Sequence, residues 1–173
     1  MRLWILSFLP LFFFGCSTQY PALKTVQKID LNSYLGTWYE IARYEHFFEK
    51  GCSDVKATYS LKENGDINVL NECIKEGELS QAKGVAYATD ESNSKLKVSF
   101  FRPFYGNYWI LMIGESYEYA LIGDPSREYL WILARKNTIS EELRNTILMR
   151  LPEFGYTQDK LVWTEQKASI IKK

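Results

Sequence analysis

From residue 36 to residue 135 the chain is a series of short runs in which apolar and polar residues alternate, separated by turn residues. Alternation with a period of two is typical of strands in an antiparallel sheet that has one face in a core. The predicted strands are residues 37–44, 53–62, 66–74, 83–90, 95–101, 107–114, 117–123 and 128–135. Eight strands that run up and down in sequence close into a barrel wide enough for one small ligand. The pattern therefore predicts an all-β, eight-stranded up-and-down antiparallel barrel.

The pattern changes beyond the eighth strand, where apolar residues recur at helical spacing. These apolar positions are Leu143, Ile147 and Leu151. Thr138 and Glu141 have the spacing of a capping box, which marks the start of a helix. We expect a C-terminal flanking helix whose apolar face packs on the outside of the barrel. A short ninth strand is expected at residues 161–164.

The first residues of the chain have the features of a targeting sequence. Arg2 supplies a positive charge, and residues 3–14 are an apolar run that suits a signal peptide and is too short to cross a bilayer. The following Gly15-Cys16-Ser17 resembles the cleavage site of bacterial lipoproteins, in which the cysteine carries acyl chains. An ordinary secretory signal with an incidental cysteine is the alternative. The predicted organisation is a signal peptide at 1–15, a lipid-anchored tether at 16–29 and a barrel domain at 30–173.

Composition limits the classes of partner and chemistry. Lys plus Arg total 21 and Asp plus Glu total 21, so the chain lacks the basic excess of nucleic-acid-binding proteins and of polybasic membrane anchors. Hydrophobic residues make up 46% of the sequence, enough for a large core or an apolar cavity. His46 is the only histidine, and no zinc-binding, phosphate-binding or nucleophile motif accompanies it. We therefore expect no metal, no cofactor, no nucleic-acid partner and no catalytic residue.

The period of two also predicts which side chains point into the barrel. We count inward positions forward from Trp38 on the first strand and backward from Arg135 on the eighth. The candidate ligand-binding residues are Glu40, Ala42, Tyr44, Val98, Phe100, Tyr119 and Trp131. Glu40 is a carboxylate that is costly to bury unpaired. It either orients water or a ligand head group, or forms an internal hydrogen bond to an arginine or to a tyrosine such as Tyr119 or Tyr129.

The start of the first strand and the end of the eighth are predicted to lie close together at one end of the barrel. Gly36 and Trp38 open the first strand and Arg135 closes the eighth, and strands of alternating direction bring both ends to the same floor. There the guanidinium can stack on the indole. The segments GTWYEIAR, FFRPFYGNY and YLWILAR follow in order along the chain. Together these residues resemble the lipocalins, and especially their Blc-type branch of bacterial outer-membrane lipoproteins.

The resemblance implies an apolar cavity that binds a fatty acid, such as palmitate, or a lysophospholipid. It also implies an outer-membrane anchor through Cys16, a domain that faces the periplasm, and a role in membrane lipid maintenance or transport under stress. A homodimer is left open. Two other functions also stay open. One is a lipid-modifying enzyme that uses Cys52, Cys73 or His46, and the other is a structural envelope lipoprotein with a filled barrel.

Of the three cysteines, Cys16 is assigned to the lipid anchor, which leaves Cys52 and Cys73 as a pair. In an oxidising compartment such a pair is expected to form a disulfide. The simplest register argues against direct pairing. A two-residue type I′ turn predicted at Asn64-Gly65 places Cys73 opposite Lys56 and Cys52 opposite Gly77. A loop that folds back near Cys52, or a β-bulge, would reconcile the two expectations.

Overall fold

The structure, a computed structural model, describes residues 20–167 of the 173-residue chain. Its strands are β1 (Gly36–Tyr44), β2 (Cys52–Leu61), β3 (Ile67–Lys75), β4 (Glu78–Ala88), β5 (Lys95–Phe101), β6 (Phe104–Ile113), β7 (Tyr119–Gly123), β8 (Leu130–Ala134) and β9 (Leu161–Trp163). Its α-helices are α1 (Leu31–Tyr34) and α2 (Glu141–Arg150), and short 3-10 turns occupy Leu151–Phe154 and Gln158–Lys160. The predictions for Cys16 and for the signal peptide lie outside the described residues.

Strands β1 to β8 form a closed antiparallel barrel. Each strand from β2 to β7 pairs with the next in sequence, and β1 lies between β8 and β2. Gly36 pairs with Tyr59 of β2, and Tyr39 pairs with Ala134 of β8, so the first half of β1 closes the barrel on both sides. The predicted up-and-down barrel, flanking helix and ninth strand are confirmed.

Strand β9 lies beside the second half of β1, where β2 has diverged from it. Tyr44 pairs with Leu161 in this antiparallel contact. Just after β9, the side-chain amide of Gln166 donates hydrogen bonds to the carbonyl oxygens of Glu40 and Val55, each at 2.8 Å. The chain after β9 therefore bridges the gap between β1 and β2.

The hairpin between β2 and β3 differs from the prediction. Leu61 pairs with Ile67, which leaves five residues in the loop. Only Gly65 of the Asn64-Gly65 pair has a positive φ, of 86°. A type I′ turn needs positive φ at both central residues, so the predicted turn type is wrong and the register is shifted by one residue.

The two ends of the barrel have different loops. We call the end with loops 45–51, 76–77, 102–103 and 124–129 the rim, and the opposite end the floor. Residues 20–30 run from the rim, where Leu23 joins the apolar core outside the barrel, to the floor, where Ile29 packs into the core inside it. Arg127 of the rim donates a hydrogen bond to the carbonyl of Pro21 at 2.6 Å. At the floor the backbone N–H of Ile29 donates to the carbonyl of Ser92 at 2.8 Å.

Two apolar cores lie on opposite faces of the sheet. The inner core fills the floor half of the barrel and includes Trp38, Tyr59, Ile110, Ala120 and Leu133. The outer core lies under α2 and includes Ile41, Leu121, Ile132, Ile147 and Leu151. The apolar face of the helix thus packs on the barrel, as its spacing predicted. The hydroxyl of Ser140 accepts a hydrogen bond from the backbone N–H of Leu143, so the capping residue is Ser140 and not Thr138.

Candidate functional site

The floor is closed by Trp38 and Arg135. Trp38 is fully buried, and the guanidinium carbon of Arg135 lies 3.8 Å from the centroid of its ring. The indole N–H donates to the carbonyl of Tyr34 at 2.8 Å. Arg135 donates to the carbonyls of Ser33 at 2.7 Å and Thr37 at 2.9 Å. The guanidinium therefore covers the indole and also ties α1 to the start of β1.

Three tyrosine hydroxyls meet inside the barrel above the floor. The Tyr108 oxygen lies 2.7 Å from that of Tyr34 and 3.0 Å from that of Tyr59. Burial raises the pKa of Tyr59 to about 12 and raises the pKa of the other two well above the ordinary value. All three are therefore neutral at pH 7. They fill the floor half of the interior, so a ligand inside the barrel would have to lie in the rim half.

The inner wall of the rim half is built from small residues. Ala57 of β2 and Ala82 and Gly84 of β4 occupy inward positions, in register with the inner core, and Asn71 of β3 pairs with both alanines. A Cβ atom at Gly84 would lie 2.9 Å from the ring of Phe100, so the missing side chain lets this ring lie against the wall. Val98 packs against the inner core. Phe100 nevertheless remains 45% exposed, which shows that this half of the interior opens to solvent.

A β-bulge in β1 changes which side chains point inward. Between Glu40 and Ala42 the pairing with β8 slips by one residue, which makes Ile41 the extra residue. A bulge reverses the alternation of inward and outward positions beyond it. Arg43 therefore points into the rim half of the barrel.

The inward orientation that the sequence predicted for three residues is wrong. Ala42 and Tyr44 belong to the outer core because the bulge precedes them. The Tyr44 hydroxyl donates to the carbonyl of Thr157 at 2.7 Å, on the outside of the barrel. Tyr119 also packs against the outer core, because its neighbour Ala120 takes the inward position on β7.

Arg43 joins two carboxylates in the rim half of the interior. Its Nη1 lies 2.8 Å from Oε1 of Glu40, its Nη2 donates to the carbonyl of Glu49 at 2.9 Å, and its Nε lies 3.8 Å from Oε2 of Glu49. The hydroxyl of Thr164 also donates to the Glu40 carboxylate. Glu40 is 1% exposed and Arg43 is 3% exposed. Glu40 thus forms an internal bond to an arginine, and the tyrosines suggested as donors do not provide it.

This cluster contains two carboxylates and one guanidinium. Burial, and to a lesser degree the negative charge of Glu40, raise the pKa of Glu49 to about 7. Burial also raises the pKa of Glu40, against the opposing effects of Thr164 and Arg43. Near neutral pH the carboxyl group of Glu49 is therefore protonated for part of the time. Arg43, Glu49 and Thr164 were missed from the sequence, where only the need of Glu40 for a partner pointed toward them.

His46 lies on the rim loop, as predicted, but this side chain is buried among aromatic rings. Its ring centroid is 4.6 Å from that of Tyr129, 5.1 Å from Trp131 and 5.2 Å from Phe48. Burial, and to a lesser degree the positive charge of Arg43, lower the pKa of His46 to about 4. The imidazole is therefore neutral at pH 7 and packs as an aromatic side chain.

Trp131 connects the aromatic and polar parts of the site. It lies on the inner face of β8 against the inner core. Its indole N–H donates to Oε2 of Glu49 at 3.1 Å. A molecule that enters the rim half of the barrel would therefore change the surroundings of this indole.

Cys52 and Cys73 form a disulfide, with Cα atoms 5.5 Å apart. The predicted bridge is confirmed. The pairing of β2 with β3 shifts by one residue between Ser53 and Lys56, which is the bulge that reconciles the bridge with the ladder. In this oxidised form neither cysteine has the free thiolate that a cysteine-dependent enzyme would need.

Beside the cluster lies a cleft of about 430 Å³, between the residues that follow β9 and the rim ends of β2 and β3. Its lining includes Arg43, Ser53, Ile74, Thr164 and Lys167. Within residues 20–167, no three His, Cys, Asp or Glu side chains are grouped so that they could hold a metal ion. In the same part of the chain, each helix is too short or too polar to span a membrane.

A closed eight-stranded barrel with a sealed floor, an open rim and an outer helix is the architecture of lipocalins. The Lipocalin-like domain family matches residues 29–166, and the chain belongs to this family. Lipocalins bind small hydrophobic ligands and are in general binding and transport proteins.

Within the family, the chain is similar to bacterial outer membrane lipoproteins. It is 45% identical to the outer membrane lipoprotein Blc of Citrobacter freundii over 157 residues, which cover 88% of this chain and 89% of that protein. It is 42% identical to Blc of Escherichia coli K12 over 160 residues, or 90% of each chain. Insecticyanin from the tobacco hornworm Manduca sexta has a similar fold, with a TM-score of 0.69 at 18% identity over 84% of this chain and 85% of that one.

Proposed function

We propose that the protein binds one fatty acid or lysophospholipid in the rim half of its barrel and carries or stores it within the cell envelope. The supporting observation is that an apolar wall open to solvent ends at a buried arginine. A single acyl chain suits the apolar part, because the tyrosines fill the floor half and leave no room for a longer cavity. An acidic head group suits the arginine.

The wall of small residues beside Phe100 and Trp131 would contact the acyl chain. Burial of apolar surface contributes about 25 cal/mol per Å². Ordering of the chain and loss of its free motion offset part of this gain, so a dissociation constant in the micromolar range, about −8 kcal/mol, is expected. Val98 lies on the same inner face and would contribute to the apolar surface.

The head group would lie near Arg43. The Nε atom of Arg43 has no hydrogen-bond partner within residues 20–167, although it is buried. A carboxylate or phosphate oxygen could accept from this N–H and strengthen a charge-assisted contact. Glu49 would be displaced from Arg43, and its pKa of about 7 makes its protonation at neutral pH inexpensive.

We further propose that Cys16 carries the lipid anchor and that the barrel faces the periplasm from the outer membrane. The two Blc relatives are named outer membrane lipoproteins, and the Gly15-Cys16 sequence fits such an anchor. Cys16→Ser should release the protein from membranes, because the variant lacks the residue that would carry the acyl chains. Stable attachment through lipid needs more than one such chain. If this variant still sediments with the outer membrane, Cys16 is not the anchor. The role in lipid maintenance under stress and the homodimer stay predictions.

Lipid that co-purifies with the protein from its native envelope identifies the ligand. Native mass spectrometry should show one lipid per chain. In a titration of delipidated protein with palmitate, tryptophan fluorescence should change and saturate, and Trp131→Phe should remove most of the change. Trp131→Ala should also weaken binding, whereas Trp163→Ala on β9 serves as the control.

A folded protein that neither retains a lipid nor responds to palmitate or a lysophospholipid would refute the binding function. That result would favour the structural lipoprotein with a filled barrel. An unchanged affinity in Trp131→Ala would instead place the ligand elsewhere. Thiol-dependent catalysis is not proposed, because the disulfide occupies both sulfur atoms.

A further inference from the structure

Exposed aromatic side chains are concentrated at the rim. Phe47 is 87% exposed on the loop between β1 and β2, and Phe101 and Phe104 are 75% and 70% exposed at the turn between β5 and β6. The other exposed large hydrophobic residues at this end are Tyr20, Phe48, Leu79, Phe100 and Tyr105. In the described part of the chain the exposed phenylalanines all lie at the rim, whereas toward the floor Leu61 is 49% exposed and Tyr87, near the end of β4, is 40% exposed.

Charge does not explain this surface. Exposed side chains of both signs lie among the aromatic residues, and they include Glu45, Lys50, Glu76, Arg102 and Glu128. A partner attracted by net charge is therefore not favoured. Phenylalanine, tyrosine and flanking cations are instead the side chains that suit the boundary between lipid and water.

The described part of the chain also begins at the rim, with Tyr20. Arg127 of the rim lies 5.1 Å from the ring of Tyr20 and binds the carbonyl of Pro21. Cys16 precedes Tyr20 by four positions in the sequence. Four residues span at most about 14 Å, even when fully extended.

This length limits how an anchored barrel can stand on a membrane. The nine residues of β1 rise about 26 Å along the strand, or about 20 Å along the barrel axis after the usual tilt. A tether of about 14 Å that starts at the rim cannot reach past the floor to a membrane on that side. The rim is therefore the end that an anchor at Cys16 holds near the bilayer.

We propose that the rim of the barrel docks on the surface of the lipid bilayer, with Phe47, Phe101 and Phe104 in the interfacial layer. This proposal rests on the lipid anchor at Cys16 proposed above. The opening of the barrel then faces the membrane, so an acyl chain passes between bilayer and barrel with little exposure to water. The occupant is the lipid surface itself, since the short tether brings the rim to it.

The orientation can be measured with tryptophan reporters in the membrane-bound lipoprotein. Phe104→Trp places a reporter at the rim, and Leu61→Trp places a matched reporter at an exposed site on the floor. Each variant is reconstituted in vesicles of phosphatidylethanolamine and phosphatidylglycerol, with or without phosphatidylcholine brominated on its acyl chains. Emission is compared with that of the unsubstituted protein to isolate the added indole. We expect bromine to quench the added emission of Phe104→Trp several-fold more than that of Leu61→Trp.

Flotation of the same vesicles and the mass of the N-terminal peptide test the anchor separately. If the isolated protein carries no acyl chain, the thiol of Cys16 is coupled to a maleimide lipid, and the quenching is measured in the same way. Equal quenching at both sites, or stronger quenching at the floor, overturns the docking while leaving the anchor intact.

A second copy of the chain is the competing occupant of the rim. Two results together would show that the rim is a protein interface and would refute the proposal. Brominated lipid would not quench the added tryptophan of Phe104→Trp, and Phe104→Ser, but not Leu61→Ser, would dissociate a dimer in sedimentation. A monomer whose vesicle binding falls several-fold in Phe104→Ser, and not in Leu61→Ser, supports the docking.

Discussion

Removal of the guanidinium that covers Trp38 should destabilise the entire barrel. In Arg135→Ala the indole loses its cation at 3.8 Å, and the carbonyls of Ser33, Thr37 and Tyr117 lose a donor. The perturbation is at the floor, far from the proposed ligand. An effect on stability would therefore be independent of lipid binding.

The expected magnitude follows from these contacts. A cation over an indole contributes about 0.5–2 kcal/mol, and a hydrogen bond to a charged donor contributes about 1.5–3 kcal/mol. These values do not add, because the freed carbonyls at the floor regain water, and part of the guanidinium is already exposed to solvent. We expect a loss of about 3 kcal/mol, which corresponds to a fall in Tm of about 6–12 °C for a domain of this size.

Thermal unfolding of delipidated protein, followed by circular dichroism, measures the effect. Arg144→Ala is the matched control, because the guanidinium of Arg144 lies 4.0 Å from the ring of Trp163 on the exposed side of the barrel. That contact should contribute less than about 1 kcal/mol. Arg135→Lys keeps the charge but not the forked hydrogen bonds, and its Tm should be intermediate. An unchanged Tm in Arg135→Ala, or equal losses in Arg135→Ala and Arg144→Ala, would refute the reasoning.

Other predictions concern the disulfide, the cluster and the end of the chain. Replacing Cys52 and Cys73 by serine should lower stability by about 3 kcal/mol in the chain-entropy model, and finding two thiols in unreduced wild-type protein would contradict the bridge. The pKa of Glu49 is raised to about 7 in the folded protein, so wild type should lose stability relative to Glu49→Gln as pH rises from about 4.5 to about 7. Parallel pH profiles in urea titrations would disprove this shift. Gln166→Ala should cost about 1–2 kcal/mol through two lost hydrogen bonds, and an unchanged urea midpoint would contradict it.

The parts of the fold that follow a strict period of two were predictable from the sequence. Trp38 precedes the bulge in β1, and β8 shows no shift in its pairing with β7. The count from Arg135 therefore placed Trp131 on the inner face, where the structure has it. The contact between Arg135 and Trp38 at the floor could be predicted from the alternating direction of the strands alone.

Local backbone irregularities were not predictable from alternation alone. The two adjacent residues at the bulge, Ile41 and Ala42, are both apolar, so alternation does not show which of them is the extra residue, and the prediction for Ala42 and Tyr44 failed. The Asn64-Gly65 pair suits a type I′ turn, yet the longer loop is also compatible with glycine at positive φ. The prediction that Tyr119 points inward failed because β7 is buried on both faces. Such a strand lacks the polar positions that would mark its outward side.

The bulge in β1 and the buried ion pair depend on each other. Glu40 and Arg43 are three positions apart, and in a regular strand residues at that spacing point to opposite faces. The extra residue at Ile41 brings both inside, which makes the 2.8 Å contact possible. A strand without the bulge would leave Glu40 buried with no cation, at a cost of several kcal/mol. The polar end of the proposed ligand site thus arises from one inserted residue, and the sequence signals it only through a carboxylate whose burial requires a partner.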